Sequence, residues 1–208
     1  MTKPLTAAPL RIKNITQPTE ADEPVSIEDC RSHLEAQYYY ESDVDPQDDH
    51  MILSWMIAAR EYCEAFTGLI IARRTVEVAL DDFPMEAIEL PFAPLVSLTY
   101  IYAGDDSDSE VSPLLYDVDD YSVPPRIVPV TDWPTVTAAT NLIKIRCVAG
   151  YGNDSDSLPL PFQLRAAILL ILGHLYQNRE DSTDKAISTI PTGADALMRP
   201  LRLRLGFA

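Results

Sequence analysis

The side chains able to do chemistry are three histidines, three cysteines and two dense runs of acids. Hydrolytic or metal chemistry needs such groups to converge, with a nucleophile beside a base or ligands at fixed spacing. His33, His50 and His174 are scattered, and no HExxH or Cys/His cluster is present. Cys30, Cys63 and Cys147 form no CxxC pair and read as buried free thiols of a reducing compartment. The first acidic run is Glu41, Asp43, Asp45, Asp48 and Asp49. It is dense enough to suggest Ca²⁺ but lacks the Gly and bidentate Glu of an EF-hand. A solvated loop is expected, with Asp48 and Asp49 favouring a helix N-terminus. The second run is Asp105, Asp106, Asp108, Glu110, Asp117, Asp119 and Asp120, with no Lys or Arg among them. It reads as a hairpin tip that points into solvent or into a channel. No GxGxxG, Walker A or GxSxG is present. No catalytic residue, metal or cofactor is expected.

The elements that must carry these groups follow from periodicity. Pro161–Asp181 holds the longest apolar run, with Leu164, Ile168, Ile171 and Leu175 at helical spacing. Ala167, Leu170 and Leu172 make its other sides apolar, so it is central in its domain or covered by a second chain. His174 lies within it and reads as a hydrogen-bonded interface histidine, since no nucleophile or carboxylate pair stands at helical spacing from it. A second helix is expected over about 49–67, with Ile52, Trp55, Ala59, Tyr62 and Phe66 on its buried face and Gly68 as its stop. Ser26 with Asp29 nearly matches a capping box before a short helix, about 27–38. From Arg73 the period becomes alternating: Val76, Val78, Leu80; then Leu98, Tyr100, Tyr102; then Ile143, Ile145, Cys147, facing away from Lys144 and Arg146. Shorter strands are expected at Ile88–Leu90, Tyr121–Val123 and Arg126–Val130. Gly193–Met198 reads as one short helix.

The expected fold class is therefore α+β: a small helical bundle, with long helices at about 49–67 and 161–180, and an inserted antiparallel β-module. The expected parts are an extended N-terminal arm (1–24), a helical core (25–72 plus 153–198), the β-module (73–152) and a C-terminal arm (199–208). In that arm Leu201, Leu203 and Leu205 alternate with Arg202 and Arg204.

A formal net charge of −16 argues against gripping nucleic acid by its phosphates. It leaves open enclosing DNA without holding it, since an acidic wall repels the phosphates. The N-terminus has no continuous apolar core of a secretory signal, and no run reaches the ~20 apolar residues of a membrane span. A soluble intracellular chain is expected.

An ordered set of motifs resembles phage head–tail connector (adaptor) proteins of the gp6-like type, in the branch with an inserted β-module. RIKNITQP (11–18) followed by EPVSIED (23–29) is similar to that family's arm and first helix. AAREYCEAFTG (58–68) is similar to its second helix, and DDFP (81–84) and LPFAPL (90–95) to its strand connections. AGYG (149–152), LP (158–159) and HLYQNRE (174–180) resemble the approach to its central helix and that helix's end. The resemblance spans about residues 9 to 205. It implies a structural subunit of the virion at the head–tail interface, present in the host cytoplasm during assembly. Implied partners are a portal protein, copies of the chain in a twelvefold ring, and a tail or stopper protein. The ring would enclose DNA without reading its sequence and touch no membrane. The basic C-terminus then suits a portal-docking arm through Arg199, Arg202, Leu203, Arg204, Leu205 and Phe207. Subunit packing falls to Leu164, Ile168, Ile171, Leu172, His174 and Leu175. Asp105, Asp106, Asp108 and Glu110 suit a channel lining or its rim.

Two other classes compete. An acidic DNA mimic that inhibits a nuclease would need its acids along one face, whereas these cluster in loops. A hydrolase with an unrecognised site would need convergent His and acid residues.

Overall fold

The computed structural model describes residues 10–38, 49–104, 109–152, 158–178 and 192–204. The fold is α+β, a helical core with an antiparallel β insertion. The chain divides into two compact units, one of residues 19–72 and 151–202 and the other of residues 1–18, 73–150 and 203–208.

In the helical unit, α1 spans Ile27–Tyr38, α2 Asp49–Thr67, α3 Phe162–Gln177 and α4 Thr192–Met198. The expected cap forms at α1: Ser26 Oγ accepts from Asp29 N at 3.1 Å, and Asp29 Oδ2 accepts from Ser26 N at 3.3 Å. This satisfies donors that a helix start otherwise leaves open. Arg165 of α3 also bonds Asp29 at 2.6 Å, fixing the start of α1 against α3. Arg31 Nε donates to Asp49 Oδ1 at 2.8 Å, which anchors the first residue of α2.

Helix α2 buries Ile52, Met56, Ala59, Arg60, Cys63 and Thr67. The expected face was Ile52, Trp55, Ala59, Tyr62 and Phe66, so the buried stripe is displaced by one position over most of its length. The three aromatics are half-buried instead. The slimmer Met56 and Cys63 take the buried positions next to Trp55 and Tyr62 in the sequence. Thr67 can be buried because its hydroxyl donates to Cys63 O at 2.6 Å. Gly68 closes the helix at φ 76°, a conformation that costs other residues ~1–2 kcal/mol.

Helix α3 is covered by α1, α2 and α4 of its own unit. That accounts for an apolar character extending beyond one stripe: three neighbours need three faces. Leu164, Ala167, Ile168, Ile171 and Leu172 are buried. Trp55 meets Tyr176 edge-on, with ring centroids 5.8 Å apart.

An ion cluster lies within this unit. Arg60 and Glu23 are each about 4% exposed, and Arg60 Nε donates to Glu23 Oε2 at 2.9 Å. Arg60 Nη1 donates to Glu64 Oε2 at 3.0 Å. Glu64 Oε1 in turn accepts from Ile71 N at 2.7 Å and Ala72 N at 3.2 Å. Burial raises the Glu23 carboxyl above its ordinary range, and the Arg60 charge opposes that rise. Glu23, Pro24 and Val25 are buried, so the N-terminal segment is tied down before α1 begins.

The β unit contains two sheets. The larger has the order β1-β2-β7-β4, from Arg11–Asn14, Arg74–Leu80, Ile143–Ala149 and Leu95–Ala103, with every neighbouring pair antiparallel. The smaller has the order β3-β6-β5, from Ile88–Glu89, Arg126–Pro129 and Tyr116–Asp119. Alternation places Val76, Val78, Leu80, Ile143, Ile145 and Cys147 on the buried side of the larger sheet. Ile88, Ile127 and Tyr116 are buried in the smaller one.

Two expectations fail here. Tyr121–Val123 is a bend rather than a strand. Asp119 accepts from Ser122 N at 3.1 Å and from Ser122 Oγ at 2.6 Å, which turns the chain before Pro124 and Pro125. The strand lies earlier, at Tyr116–Asp119, so Asp117 and Asp119 belong to a sheet edge and not to a hairpin tip. Within the N-terminal segment, Arg11–Asn14 pairs with β2 as an edge strand.

Candidate interaction surfaces

The described residues bring no catalytic constellation together. No group of three or more His, Cys, Asp or Glu among them could hold a metal ion. Cys30, Cys63 and Cys147 are fully buried, and burial pushes each thiol up to about 12. The Cys147 thiol owes its rise to burial alone.

The expected sites fall in different places. Leu164, Ile168, Ile171 and Leu172 lie in the interior of the subunit, packed by its own helices. His174 and Leu175 are half-buried near the end of α3. The His174 carbonyl accepts from Asn178 N at 3.1 Å and from Asn178 Nδ2 at 2.9 Å, so Asn178 caps the helix. Arg199, Arg202 and Arg204 are exposed and Leu203 is half-buried. Residues Arg199–Leu201 form a 3₁₀ turn, after which the chain is extended at Arg202 (φ −61°, ψ 123°). Arg202 lies 6.0 Å from the Phe66 ring centroid. Leu205 and Phe207 lie outside the described residues, as do Glu41, Asp43, Asp45, Asp48, Asp105, Asp106 and Asp108. Glu110 is exposed and bridges to Tyr102 at the end of β4.

One surface escaped the sequence reading. The outward side of the larger sheet gathers cations and tyrosines from three of its four strands. The register sets Lys13, Glu77, Arg146 and Tyr100 in one row across β1, β2, β7 and β4. The adjoining row is Arg11, Ala79, Lys144 and Tyr102. Arg146 donates to Glu77 at 2.8 Å and lies 4.8 Å from the Tyr100 ring centroid. Tyr100 and Tyr102 stack at 3.9 Å. Arg11 donates to Asp81 at 2.7 Å. The alternation of Lys144 and Arg146 with apolar residues was legible in the sequence, but their company was not, because it depends on strand order.

The smaller sheet has the opposite character. Its edge strand β5 carries exposed Asp117 and is followed by exposed Asp120. Tyr121, Leu114, Val123 and Val118 around it are exposed apolar side chains. Arg126 donates to Asp119 at 2.6 Å. The Ser122 and Arg126 hydrogen bonds hold the Asp119 carboxyl down at about 2.

Residues 135–202 match a family model described as phage gp6-like head–tail connector protein. That segment contains β7, α3 and α4. No curated protein matches the chain. Among solved structures, a chain in the neck of an empty gene transfer agent particle, computed with C6 symmetry, superposes with a TM-score of 0.75 at 22% identity. The match covers 95% of this chain and 98% of that one. A chain from the virion of a native gene transfer agent particle gives 0.75 at 21% identity, with 95% and 98% covered. A chain from the neck of the native particle, computed with C12 symmetry, gives 0.71 at 22% identity over the same shares. The chain thus has the fold of these particle chains along nearly its whole length, and its segment 135–202 carries the sequence pattern of gp6-like connectors.

Proposed function

We propose that the chain is a structural head–tail adaptor of a tailed phage or of a phage-derived particle such as a gene transfer agent. It resides in the virion, at the junction between head and tail, and acts without catalysis. Copies form a ring beneath the portal, twelvefold by the portal's symmetry, and the ring extends the DNA channel. The observation that carries this reading is the coincidence of two independent likenesses. Segment 135–202 fits the connector family model, and the whole fold is shared with chains from particle necks and virions.

Each part of the chain then has a task. The helical unit supplies a rigid body with a closed interior. The C-terminal arm, with Arg199, Arg202, Leu203, Arg204, Leu205 and Phe207, docks on the portal; its arginines suit carboxylates there, and the extended backbone at Arg202 suits strand addition. Asp105, Asp106, Asp108 and Glu110 line or rim the DNA path, where negative charge repels phosphates and lets the duplex slide. A tail or stopper protein binds the far side of the ring.

The test uses heads assembled without this chain, to which the purified protein is added. Removing residues 200–208 should leave helix content and melting unchanged and reduce attachment to heads roughly tenfold or more. Unchanged attachment would refute the docking arm. Failure of the full-length chain to attach to heads would refute the adaptor reading itself.

A further inference from the structure

The formal net charge of the chain is −16, yet Arg11, Lys13, Lys144 and Arg146 stand together on the outward side of the larger sheet. Glu77 offsets Arg146 and Asp81 offsets Arg11 in part. Stacked tyrosines with an arginine against the ring are the components of a binding centre, since they offer large contact area with few torsions to freeze. The smaller sheet of the same unit is complementary. Between residues 82 and 132 the sequence contains one base, Arg126. Exposed Asp117 and Asp120 there adjoin exposed Leu114, Val118, Tyr121 and Val123. Apolar side chains rimmed by charge mark an interaction surface.

We propose that these two surfaces bind each other between copies of the chain. The cationic, tyrosine-bearing side of β1-β2-β7-β4 receives the acidic, apolar β5 edge of the next copy. The two surfaces differ, so the contact is heterologous, and contacts of that kind close into rings or continue as filaments. The inference rests on the adaptor reading and supplies the surface by which its ring is joined. Overall negative charge repels copies at a distance, so a local match of opposite charges selects the one orientation that is attractive. Charge complementarity also favours a protein over DNA as the occupant. Arg11 and Arg146 hold carboxylates, whereas phosphate binding draws its strength from cations that neutralise the backbone.

The experiment supplies heads lacking the chain with an equal mixture of isotope-labelled and unlabelled full-length protein. A carbodiimide then joins lysines to carboxylates in direct contact. Cross-links of mixed isotope should connect Lys13 or Lys144 with Asp117 or Asp120. In parallel, K13E/K144E and D117K/D120K should each lower the copies retained per head roughly tenfold or more. The chain carrying all four reversals should regain them, which a folding defect would not allow. Rings that lack the mixed cross-links at these positions overturn the interface and leave the adaptor reading standing. So does a K13E/K144E ring equal to that of the wild type, including one in which only DNA retention changes. Absence of any ring from the wild-type chain on heads overturns both.

Discussion

Replacing Arg60 by methionine keeps most of the side chain's length and removes its charge. The residue is about 4% exposed and donates to Glu23 and Glu64 at 2.9 and 3.0 Å. Its approach to Glu61, at 3.7 Å, is to a largely exposed carboxylate and adds little. Without Arg60 the Glu23 carboxylate stays buried and loses the charge that opposes its burial, and removing one partner of a buried pair costs ~3–5 kcal/mol. Whole domains hold only ~5–15 kcal/mol in reserve. For a chain of this size the loss corresponds to a fall in Tm of roughly 6–20 °C.

The pH dependence carries a sign. The folded-state pKa of Glu23 is already raised, chiefly by burial, and Arg60 opposes the rise through its charge and its hydrogen bond. In R60M the pKa rises further. A group raised in the folded state favours folding at low pH, and that contribution is lost as pH rises through its folded value. The penalty of R60M is therefore larger at about pH 7.5 than at about pH 5. The double variant E23Q/R60M replaces both charges, so it should recover much of the loss and remove most of that difference. Urea unfolding followed by far-ultraviolet circular dichroism measures all three chains. An R60M chain within ~1 kcal/mol of wild type at the higher pH, the value of an exposed pair, refutes the reasoning.

Two other outcomes follow from the same geometry. Asp119, held at about 2 by Ser122 and Arg126, should remain ionised at about pH 3 when followed by its side-chain carboxyl resonance. Its contribution to stability is present above the ordinary aspartate range and lost as pH falls through about 2; in S122A the midpoint should rise, and an unmoved midpoint would show that the Ser122 bonds are not its cause. Cys30, Cys63 and Cys147, buried with thiols near 12, should resist a thiol reagent in the native protein and react fully in denaturant. Rapid native labelling of any one of them would contradict its burial.

Much of the architecture could be read from the sequence because strong periods and local chemistry agreed. Ser26 and Asp29 form their cap as read, and the helices and the long strands β2, β4 and β7 follow the change from helical to alternating period. The failures have particular causes. At α2 the period identified the helix, but large aromatics attracted the assignment of the buried face, which Met56, Arg60 and Cys63 occupy. Arg60 with Glu64 looks like an ordinary surface pair four residues apart, and only the fold brings Glu23 against it. The β5 strand was missed because its alternation is of Asp117 and Asp119 with Tyr116 and Val118, inside a run that acid density made look like a loop. The tyrosine-cation face requires knowing that β7 lies between β2 and β4, which no local pattern encodes. The docking arm and the acids between Gly104 and Ser109 rest on sequence alone.

The two ends of the β insertion leave the helical unit side by side. Ala72 bridges to Tyr151, and Tyr151 N donates to Ile71 O at 2.9 Å, while Glu64 holds the amides of Ile71 and Ala72. The helical unit thus presents a closed socket into which chain of almost any length can be spliced. The cost of closing such a loop grows only with the logarithm of its length, by about 0.6 kcal/mol per doubling. A chain built this way can exchange the surface of its insertion while its scaffold stays unchanged. Variation among particles that share this fold should accordingly gather between residues 73 and 150, leaving the socket's own residues to vary less.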